Sequence, residues 1–400
     1  MNNILLSIVP CLLIVSINGG LLSPGIETDP EVTMDVNEVI KYYGYPLETH
    51  QVTTEDGYIL TMQRIPYGRT SSPGIKKPVV FLQHGLLDSS FTWVNNGPEK
   101  SLAFILADRG FDVWLGNSRG NTYSRKHTKF SPFSKFFWDF TWDEMAQFDL
   151  PASINYALTV SKADKLGYIG HSQGTEIGFA KFSQFSDLNS KVSAFVALAP
   201  VVYLGNLKTA IKYIAGLGDA FNVIMRTVTT GEFLPNIQLV NAMSKFVCGD
   251  QMGSLGCGNV AFLLQGYNVE NLNYTRMPIY VTHIPAGTST KNIAHYAQSH
   301  LSNKFQKFDY GFFMNKLKYN QITPPQYPLD THGLPVAMFY GGNDWMAVKE
   351  DVTRAIGELG QNVKLIKFIP EYNHIDFIWG ANAYTKIYPD VIDFLLKYNN

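Results

Sequence analysis

The sequence has little charge, and its positive and negative residues balance. Charged residues make up 16% of the 400 residues, and the formal net charge is −1. A chain without an excess of either sign has no electrostatic basis for binding nucleic acid or an anionic membrane. The apolar fraction of 46% also excludes a disordered chain. The composition therefore predicts a globular protein with a large core.

Long apolar runs are missing beyond the N-terminus. Residues 4–17 carry no charge and are mostly apolar, but this run is too short to span a bilayer comfortably. The small residues Ser16, Gly19 and Gly20 surround its end, so we predict that residues 1–20 are a cleaved secretory signal peptide. A retained anchor and a buried strand are the alternatives. We expect no membrane anchor in the mature protein, because no other run reaches about 18 apolar residues.

Cysteine is scarce as well. Cys11 lies within the predicted signal, which leaves Cys248 and Cys257. In an oxidising compartment this even number favours one disulfide that closes a short loop, and two free thiols are the alternative. If the chain is secreted, the triplet that begins at Asn273 is a predicted N-glycosylation site.

Motifs for metals and nucleotide cofactors are absent from the sequence. It contains neither H-E-x-x-H nor paired C-x-x-C, and it lacks both a P-loop with lysine and a glycine-rich dinucleotide turn. The sequence therefore predicts an activity that needs no metal and no cofactor.

Short apolar runs alternate with longer segments of helical character through much of the chain. The expected buried strands lie at residues 78–82, 111–115, 166–169, 195–198, 336–340 and 363–369. Residues 101–109 and 174–185 are expected helices, and residues 49–65 predict a hairpin around Asp56. Strands that alternate with helices predict an α/β fold, with a mostly parallel central sheet flanked by helices.

This alternation stops between about residues 203 and 328. Helical patches dominate there, as at residues 206–215 and 236–246. We predict a largely helical cap at residues 203–328, inserted between two parts of one catalytic core at residues 21–202 and 329–400. A separate C-terminal domain is the alternative, but residues after 328 supply chemical groups that the first part lacks.

Gly170-His171-Ser172-Gln173-Gly174 matches the pattern G-x-S-x-G. An apolar run precedes it and a helical segment follows. Glycines at these positions permit a tight strand-to-helix turn that presents the serine hydroxyl above the sheet. Ser172 is therefore the candidate nucleophile of an α/β-hydrolase.

A serine hydroxyl needs a base, and in this fold the acid and the histidine follow the serine along the chain. Of the later histidines, we predict His374 as the base because it follows a strand at the carboxyl end. Asp344 follows the preceding strand in the same way and is the predicted acid that orients the imidazole. Asp376 is the rival, but it is too close in sequence to His374 to reach its ring easily.

The negative charge of a tetrahedral intermediate needs two hydrogen-bond donors. The backbone N–H of Gln173, directly after the nucleophile, is one expected donor of this oxyanion hole. The turn His84-Gly85-Leu86 follows an early strand, so the backbone N–H of Leu86 is the second expected donor.

Many further segments resemble the acid lipase family, which includes gastric and lysosomal lipases, and the resemblance covers nearly all of the mature chain. The shared segments include FLQHGLL at 81–87, DVWLGNSRGNT at 112–122, WDEM at 142–145, GHSQG at 170–174, PAGTS at 285–289, GGND at 341–344 and YNHIDF at 372–377. So many ordered matches are far more specific than the serine motif alone.

The resemblance implies a secreted or lysosomal α/β-hydrolase that cleaves triacylglycerols, and in some members cholesteryl esters, at an oil–water or membrane-lipid surface. It implies that part of the cap is a movable lid and that Cys248 and Cys257 form the cap disulfide. The chain departs from the family at Gln265, near the place of an additional free cysteine, and at Glu176, where the family has threonine. A short-chain carboxylesterase, a serine peptidase and a non-catalytic lipid-binding protein are the alternative functions.

Overall fold

The computed structural model describes residues 29–70, 77–209, 212, 229–234 and 264–398. Within these ranges, nine strands form one central sheet and two short strands form a separate pair. The strands are β1 Glu48–Thr53, β2 Tyr58–Ile65, β3 Val79–Gln83, β4 Asp112–Leu115, β5 Lys126–His127, β6 Leu166–His171, β7 Val192–Leu198, β8 Glu232–Phe233, β9 Thr288–Ser289, β10 Val336–Gly341 and β11 Val363–Ile369.

The central sheet has the order β1-β2-β4-β3-β6-β7-β10-β11, and β5 pairs with β2. Strands β4 to β11 along this order pair in parallel, whereas β1, β2 and β5 are joined by antiparallel pairing. The predicted hairpin is present as β1 and β2, and each predicted apolar run contributes a strand of the sheet. The mostly parallel sheet expected from the sequence is therefore confirmed.

Helices lie between the strands. They are α1 Val36–Tyr42, α2 Leu102–Asp108, α3 Trp142–Glu144, α4 Leu150–Ser161, α5 Gln173–Phe182, α6 Leu188–Lys191, α7 Met277–His283, α8 Thr290–Ser302, α9 Phe312–Tyr319, α10 Lys349–Leu359, α11 Asp376–Trp379, α12 Ala383–Lys386 and α13 Tyr388–Tyr398. A π-helical turn, Met145–Asp149, joins α3 to α4. Both predicted core helices are present, as α2 and α5.

The helices cover both faces of the sheet. Strand β3 is buried along its whole length, and alternate side chains point to opposite faces. Val80 and Leu82 join one apolar cluster, which includes residues of α2 and α13. Phe81 joins the other, which includes residues of α4, α5 and α10. Burial on both sides explains why the central strands read as unbroken apolar runs.

The predicted cap is described only in part. Helices α7, α8 and α9 and the pair β8–β9 fall within residues 203–328. Of the predicted helix at residues 206–215, the structure describes residues 206–209, which are not helical, and residue 212, which is. The predicted helix at residues 236–246 lies outside the described residues. The division into core and cap stays a prediction.

Residues 1–20, with the predicted signal peptide, lie outside the described part of the chain, and so do Cys248 and Cys257. Among the residues that are described, none of the helices has both the length and the apolar character needed to cross a bilayer.

Candidate active site

Ser172 occupies the sharp turn between β6 and α5. Its φ of 51° is unusual for a residue with a side chain, and such strain persists only where the surroundings enforce it. Its N–H donates to the Leu198 carbonyl at 3.1 Å, and the Thr175 hydroxyl donates to the Ser172 carbonyl at 2.6 Å. These bonds hold the turn, and with it the hydroxyl, at the carboxyl end of β6.

Both glycines of the motif are required by close backbone contacts. A Cβ at Gly170 would lie 2.6 Å from the carbonyl carbon of Gly174. A Cβ at Gly174 would lie 2.3 Å from the carbonyl oxygen of Gln83, the last residue of β3. The two glycines of the G-x-S-x-G pattern are therefore required because α5 packs closely against the strands beneath it.

His374 and Asp344 meet Ser172 in three dimensions, although they are distant in sequence. His374 Nε2 lies 2.7 Å from Ser172 Oγ, and its Nδ1 lies 2.9 Å from the nearer carboxylate oxygen of Asp344. Because a carboxylate only accepts, Nδ1 carries the proton and Nε2 is free to accept the serine proton. Ser172, His374 and Asp344 are only 5%, 3% and 1% exposed, which leaves little water to compete with these bonds.

Two loops at the carboxyl ends of β10 and β11 carry the acid and the base. The backbone N–H groups of Met346 and Ala347 both donate to Asp344 Oδ1, at 2.8 and 2.7 Å. These two hydrogen bonds hold the Asp344 carboxylate in the orientation in which it contacts the His374 imidazole. The geometry can therefore support proton transfer from the Ser172 hydroxyl.

Gln265, which sequence reasoning noted only as a family difference, lies between these two loops. Its carbonyl accepts from the N–H groups of Trp345 and His374, both at 3.3 Å. The next carbonyl, that of Gly266, accepts from the Asn373 side chain at 2.9 Å. A segment distant in sequence thus holds the acid and base loops together, and no local pattern in the sequence signals this.

The predicted oxyanion-hole residues border Ser172. A Cβ at Gly85 would lie 3.1 Å from Ser172 Cβ, so the turn that carries Leu86 runs directly beside the nucleophile. Gln173 is the first residue of α5, where backbone N–H groups have no partner within the helix. Both residues thus border the serine, and the role of their backbone N–H groups as oxyanion donors stays a prediction.

Two buried neutral histidines stabilise this arrangement. His84 donates from Nδ1 to the Gly85 carbonyl at 2.8 Å and accepts at Nε2 from the Ser118 N–H at 3.0 Å. His171 donates from Nε2 to the His374 carbonyl at 3.0 Å. Burial lowers the pKa of His84 to about 4 and that of His171 to about 3. Both therefore act as fixed hydrogen-bonding groups and carry no charge.

The rival residues are used elsewhere. Asp376 accepts from the side chains of Asn268 and Asn271 and from the Asn373 N–H, and it makes no bond to the His374 ring. Burial raises its pKa to about 7. Histidines 283, 295, 300 and 332 bond or stack with other groups, and no contact joins any of them to Ser172.

A second group that sequence reasoning missed lies on α8, in the predicted cap. Asn292 Nδ2 donates to Gln173 Oε1 at 2.7 Å, and the Tyr296 hydroxyl lies 2.5 Å from Glu176 Oε2. These contacts tie the residue after the nucleophile to a helix more than a hundred residues away. Asn292 and Tyr296 are four residues apart and so share one face of a helix, and this spacing was the feature of the sequence that could have predicted a common contact.

Asn273, the predicted glycosylation site, is half-buried in a short turn. Its Oδ1 accepts from the hydroxyl of the exposed Thr275 at 2.7 Å. Its glycosylation stays a prediction.

Comparison with known proteins agrees with this geometry. Residues 78–381 match the family model described as the alpha/beta hydrolase fold, and residues 36–97 match that of a partial alpha/beta-hydrolase lipase region. Human lysosomal acid lipase/cholesteryl ester hydrolase is 44% identical over 399 residues, which cover 98% of each chain. Human gastric triacylglycerol lipase is 42% identical over 379 residues, 94% of each chain.

The chain belongs to the acid lipase family. The resemblance drawn from the sequence is thereby confirmed, as is the α/β-hydrolase fold. A solved structure of a yeast monoglyceride lipase has a TM-score of 0.51, with 14% identity and coverage of 89% of this chain and 99% of that one. At that identity the likeness concerns the fold alone.

Proposed function

We propose that this chain is a lipase that hydrolyses the ester bonds of triacylglycerols, with cholesteryl esters as a second substrate class. The observation that carries the proposal is the hydrogen-bonded series from Ser172 Oγ through the His374 ring to Asp344. The activities named for the lysosomal and gastric relatives support the choice of substrate.

In the proposed reaction Ser172 Oγ attacks the ester carbonyl carbon while His374 Nε2 takes its proton. Asp344 stabilises the imidazolium that results. The tetrahedral intermediate then collapses, its bond to the alcohol oxygen breaks, and His374 returns the proton to the leaving alcohol. Water then attacks the acyl carbonyl carbon while His374 Nε2 takes one of its protons. This second intermediate collapses, the bond between the acyl carbon and Ser172 Oγ breaks, and His374 returns the proton to Oγ, which releases the fatty acid.

The intermediate carries a negative oxygen, for which we assign the backbone N–H groups of Leu86 and Gln173 as donors. Backbone donors are already oriented before the reaction, so they stabilise this charge without reorganising. The contacts of His84 and Gly85 described above support the assignment of Leu86, the next residue of the same turn.

The proposed site of action is outside the cytosol, in a secreted or lysosomal compartment, at the surface of an oil droplet or a lipid membrane. The predicted signal peptide at residues 1–20 and the lysosomal and gastric relatives support this location. An apolar ester must leave its lipid phase to reach a buried serine, so we propose that part of the cap at residues 203–328 moves to admit it.

The test is Ser172→Ala, assayed with triolein, cholesteryl oleate and a soluble butyrate ester across pH. We expect hydrolysis to fall by about 10⁴-fold or more, because the nucleophile is lost, while the unfolding temperature stays close to that of the wild type. A fluorophosphonate probe should label the wild type and leave the variant unlabelled.

The assay panel separates the alternatives. Activity confined to butyrate would replace the lipase by a short-chain esterase. A wild-type protein that neither hydrolyses these esters nor reacts with the probe would be a lipid-binding protein. Retained activity in Ser172→Ala would overturn the assignment of the nucleophile.

A further inference from the structure

Glu176 is a buried acid one helical turn after the nucleophile, and the proposed reaction does not use it. Its side chain is fully buried, and Oε1 has no hydrogen-bond partner among the described residues. Oε2 lies 2.5 Å from the Tyr296 hydroxyl. No lysine or arginine of the described chain contacts it, so an ionised Glu176 would be a buried anion without a counter-ion.

The titratable groups around Glu176 do not favour its charge. Of the groups on the elements packed against α5, Tyr296 and Asp143 interact with it, and the Asp143 carboxyl repels a negative charge. His295, beside Tyr296, has its pKa lowered to about 3 by burial and supplies no positive charge. Burial raises the pKa of Glu176 well above its ordinary value, so the neutral acid is the stable form at acid pH.

The Tyr296 hydroxyl lies between Glu176 and the residue that follows the nucleophile. It is 2.5 Å from Glu176 Oε2 and 3.3 Å from Gln173 Oε1. A hydroxyl has one proton and can donate it to only one of these oxygens. When Glu176 is neutral, its own O–H donates to the Tyr296 oxygen, and the Tyr296 proton is free to donate to Gln173.

Ionisation of Glu176 reverses the direction of the hydrogen bond between Glu176 and Tyr296. A carboxylate has no proton to donate, so the Tyr296 hydroxyl turns its proton toward Glu176. Of the two donors that the described residues supply to Gln173 Oε1, one is then lost and Asn292 Nδ2, at 2.7 Å, is kept. Gln173 carries one of the proposed oxyanion donors on its backbone, so the protonation of Glu176 acts on the position of that donor.

We propose that Glu176 is a positioning residue which, as a neutral acid bonded to Tyr296, holds Gln173 in its catalytic position, and that its ionisation limits ester hydrolysis at alkaline pH. This inference rests on the proposed function. It places a group whose ionisation lowers hydrolysis at alkaline pH within the core of the chain, one helical turn from the nucleophile.

The experiment measures kcat/KM for a soluble butyrate ester from pH 4 to pH 9 in the wild type, Glu176→Gln and Tyr296→Phe. Glutamine keeps the shape of the neutral acid but cannot ionise, so we expect the alkaline half-activity point to rise by about one pH unit or more. In Tyr296→Phe the carboxylate loses its donor. We therefore expect the same direction of shift, with kcat about threefold lower at pH 5.

Glu350→Gln is the control, since Glu350 is an exposed acid of α10 and should leave the profile unchanged. An active Glu176→Gln whose alkaline limb coincides with that of the wild type would overturn the inference. If Glu176→Gln does not fold, an unshifted limb in Tyr296→Phe overturns it instead.

Thermal unfolding supplies a readout that does not need activity. Because the pKa of Glu176 is raised, its contribution to stability is present at low pH and is lost as pH rises. The drop in unfolding temperature from pH 5 to pH 8 should therefore be smaller in Glu176→Gln than in the wild type, and equal drops would contradict a neutral Glu176. If the wild type had no esterase activity at any pH, both the proposed function and the positioning role would be overturned. The comparison of unfolding temperatures would still report the protonation state of Glu176.

Discussion

Two carboxyl groups are buried near Ser172, and their surroundings differ. Asp344, in the loop after β10, accepts from the His374 ring and from the N–H groups of Met346 and Ala347. Glu176, in the first turns of α5, has the Tyr296 hydroxyl as its one partner within the described part of the chain. The first carboxyl group thus accepts three hydrogen bonds, whereas the second lies beside one hydroxyl. Burial and the surrounding donors act together on a buried acid, because Asp376 accepts three hydrogen bonds and burial still raises its pKa to about 7.

The largest expected effect comes from removing the anion at the first site. Asp344→Asn presents an amide to His374 Nδ1, which favours the wrong imidazole tautomer and leaves the imidazolium without its stabilising charge. We expect kcat to fall by about 10⁴-fold, measured with the soluble ester at the optimum pH. Asp330→Asn, an exposed aspartate before β10, is the control and should change kcat less than twofold.

If Asp344→Asn lost little activity, the hydrogen bonds that the Asp344 carboxylate accepts would not be needed for catalysis. The contrast with Glu176 would then concern stability alone.

An intermediate effect is expected at Asp88, a third buried acid, in the loop that follows Leu86. It accepts from the Ser89 N–H at 2.7 Å, and burial raises its pKa to about 7. An acid of this kind stabilises the fold at low pH, and the contribution is lost as pH rises from about 4 to 7. Asp88→Asn should therefore be more stable than the wild type at pH 8, by about 2–4 kcal/mol, and similar at pH 4.

Denaturant unfolding at the two pH values measures this difference. Asp187→Asn, at an exposed acid paired with Lys191, serves as the control that should not show it. Equal stability of Asp88→Asn and the wild type at pH 8 would mean that Asp88 is an anion with adequate donors, as Asp344 is.

The smallest expected effect concerns Asp143, a buried acid with two donors. The Tyr327 hydroxyl donates to it at 2.6 Å and the Phe308 N–H at 2.8 Å, and burial raises its pKa to about 6. Tyr327→Phe removes one donor, so we expect a loss of about 1 kcal/mol that is greater at pH 8, where Asp143 is charged, than at pH 5.

The same unfolding experiment, compared with Tyr319→Phe, tests this expectation. The Tyr319 hydroxyl donates to the Phe308 carbonyl and not to an acid. The decrease in the free energy of unfolding caused by Tyr319→Phe should therefore depend little on pH. If Tyr327→Phe lowered the free energy of unfolding equally at both pH values, the strength of the Tyr327 hydrogen bond would not depend on the charge of Asp143.

Much of the fold was predictable because its signals are local. A strand buried on both faces must be apolar throughout, so residues 336–340 were recognised nearly with the bounds of β10, Val336–Gly341, which is buried along its whole length. The strained turn at Ser172 requires Gly170 and Gly174 at fixed spacing, and this requirement is visible in five residues. The order of serine, acid and histidine then identified Asp344 and His374 from the strand ends that carry them.

The remaining site residues could not be predicted in this way. Glu176 and Tyr296 are 120 positions apart, and their contact depends on how α8 packs against α5. The carbonyl of Gln265 joins the acid and base loops through its backbone, so the identity of its side chain carries no signal of that role. Residues 206–209, the expected start of a helix, are not helical, and the Lys208 N–H donates instead to the Trp345 carbonyl of a distant loop at 3.0 Å.

The sequence by itself determined the sheet, the nucleophile turn and the three residues proposed for catalysis, because periodicity and tight turns restrict residue types locally. The tertiary structure decided which buried acids have donors and which do not. That difference depends on groups that many separate segments bring together, and a carboxyl group has the same sequence letter whether it is charged or neutral. Glu176 and Asp344 are both acids in the sequence, and the packing around them gives the two groups their different proposed roles.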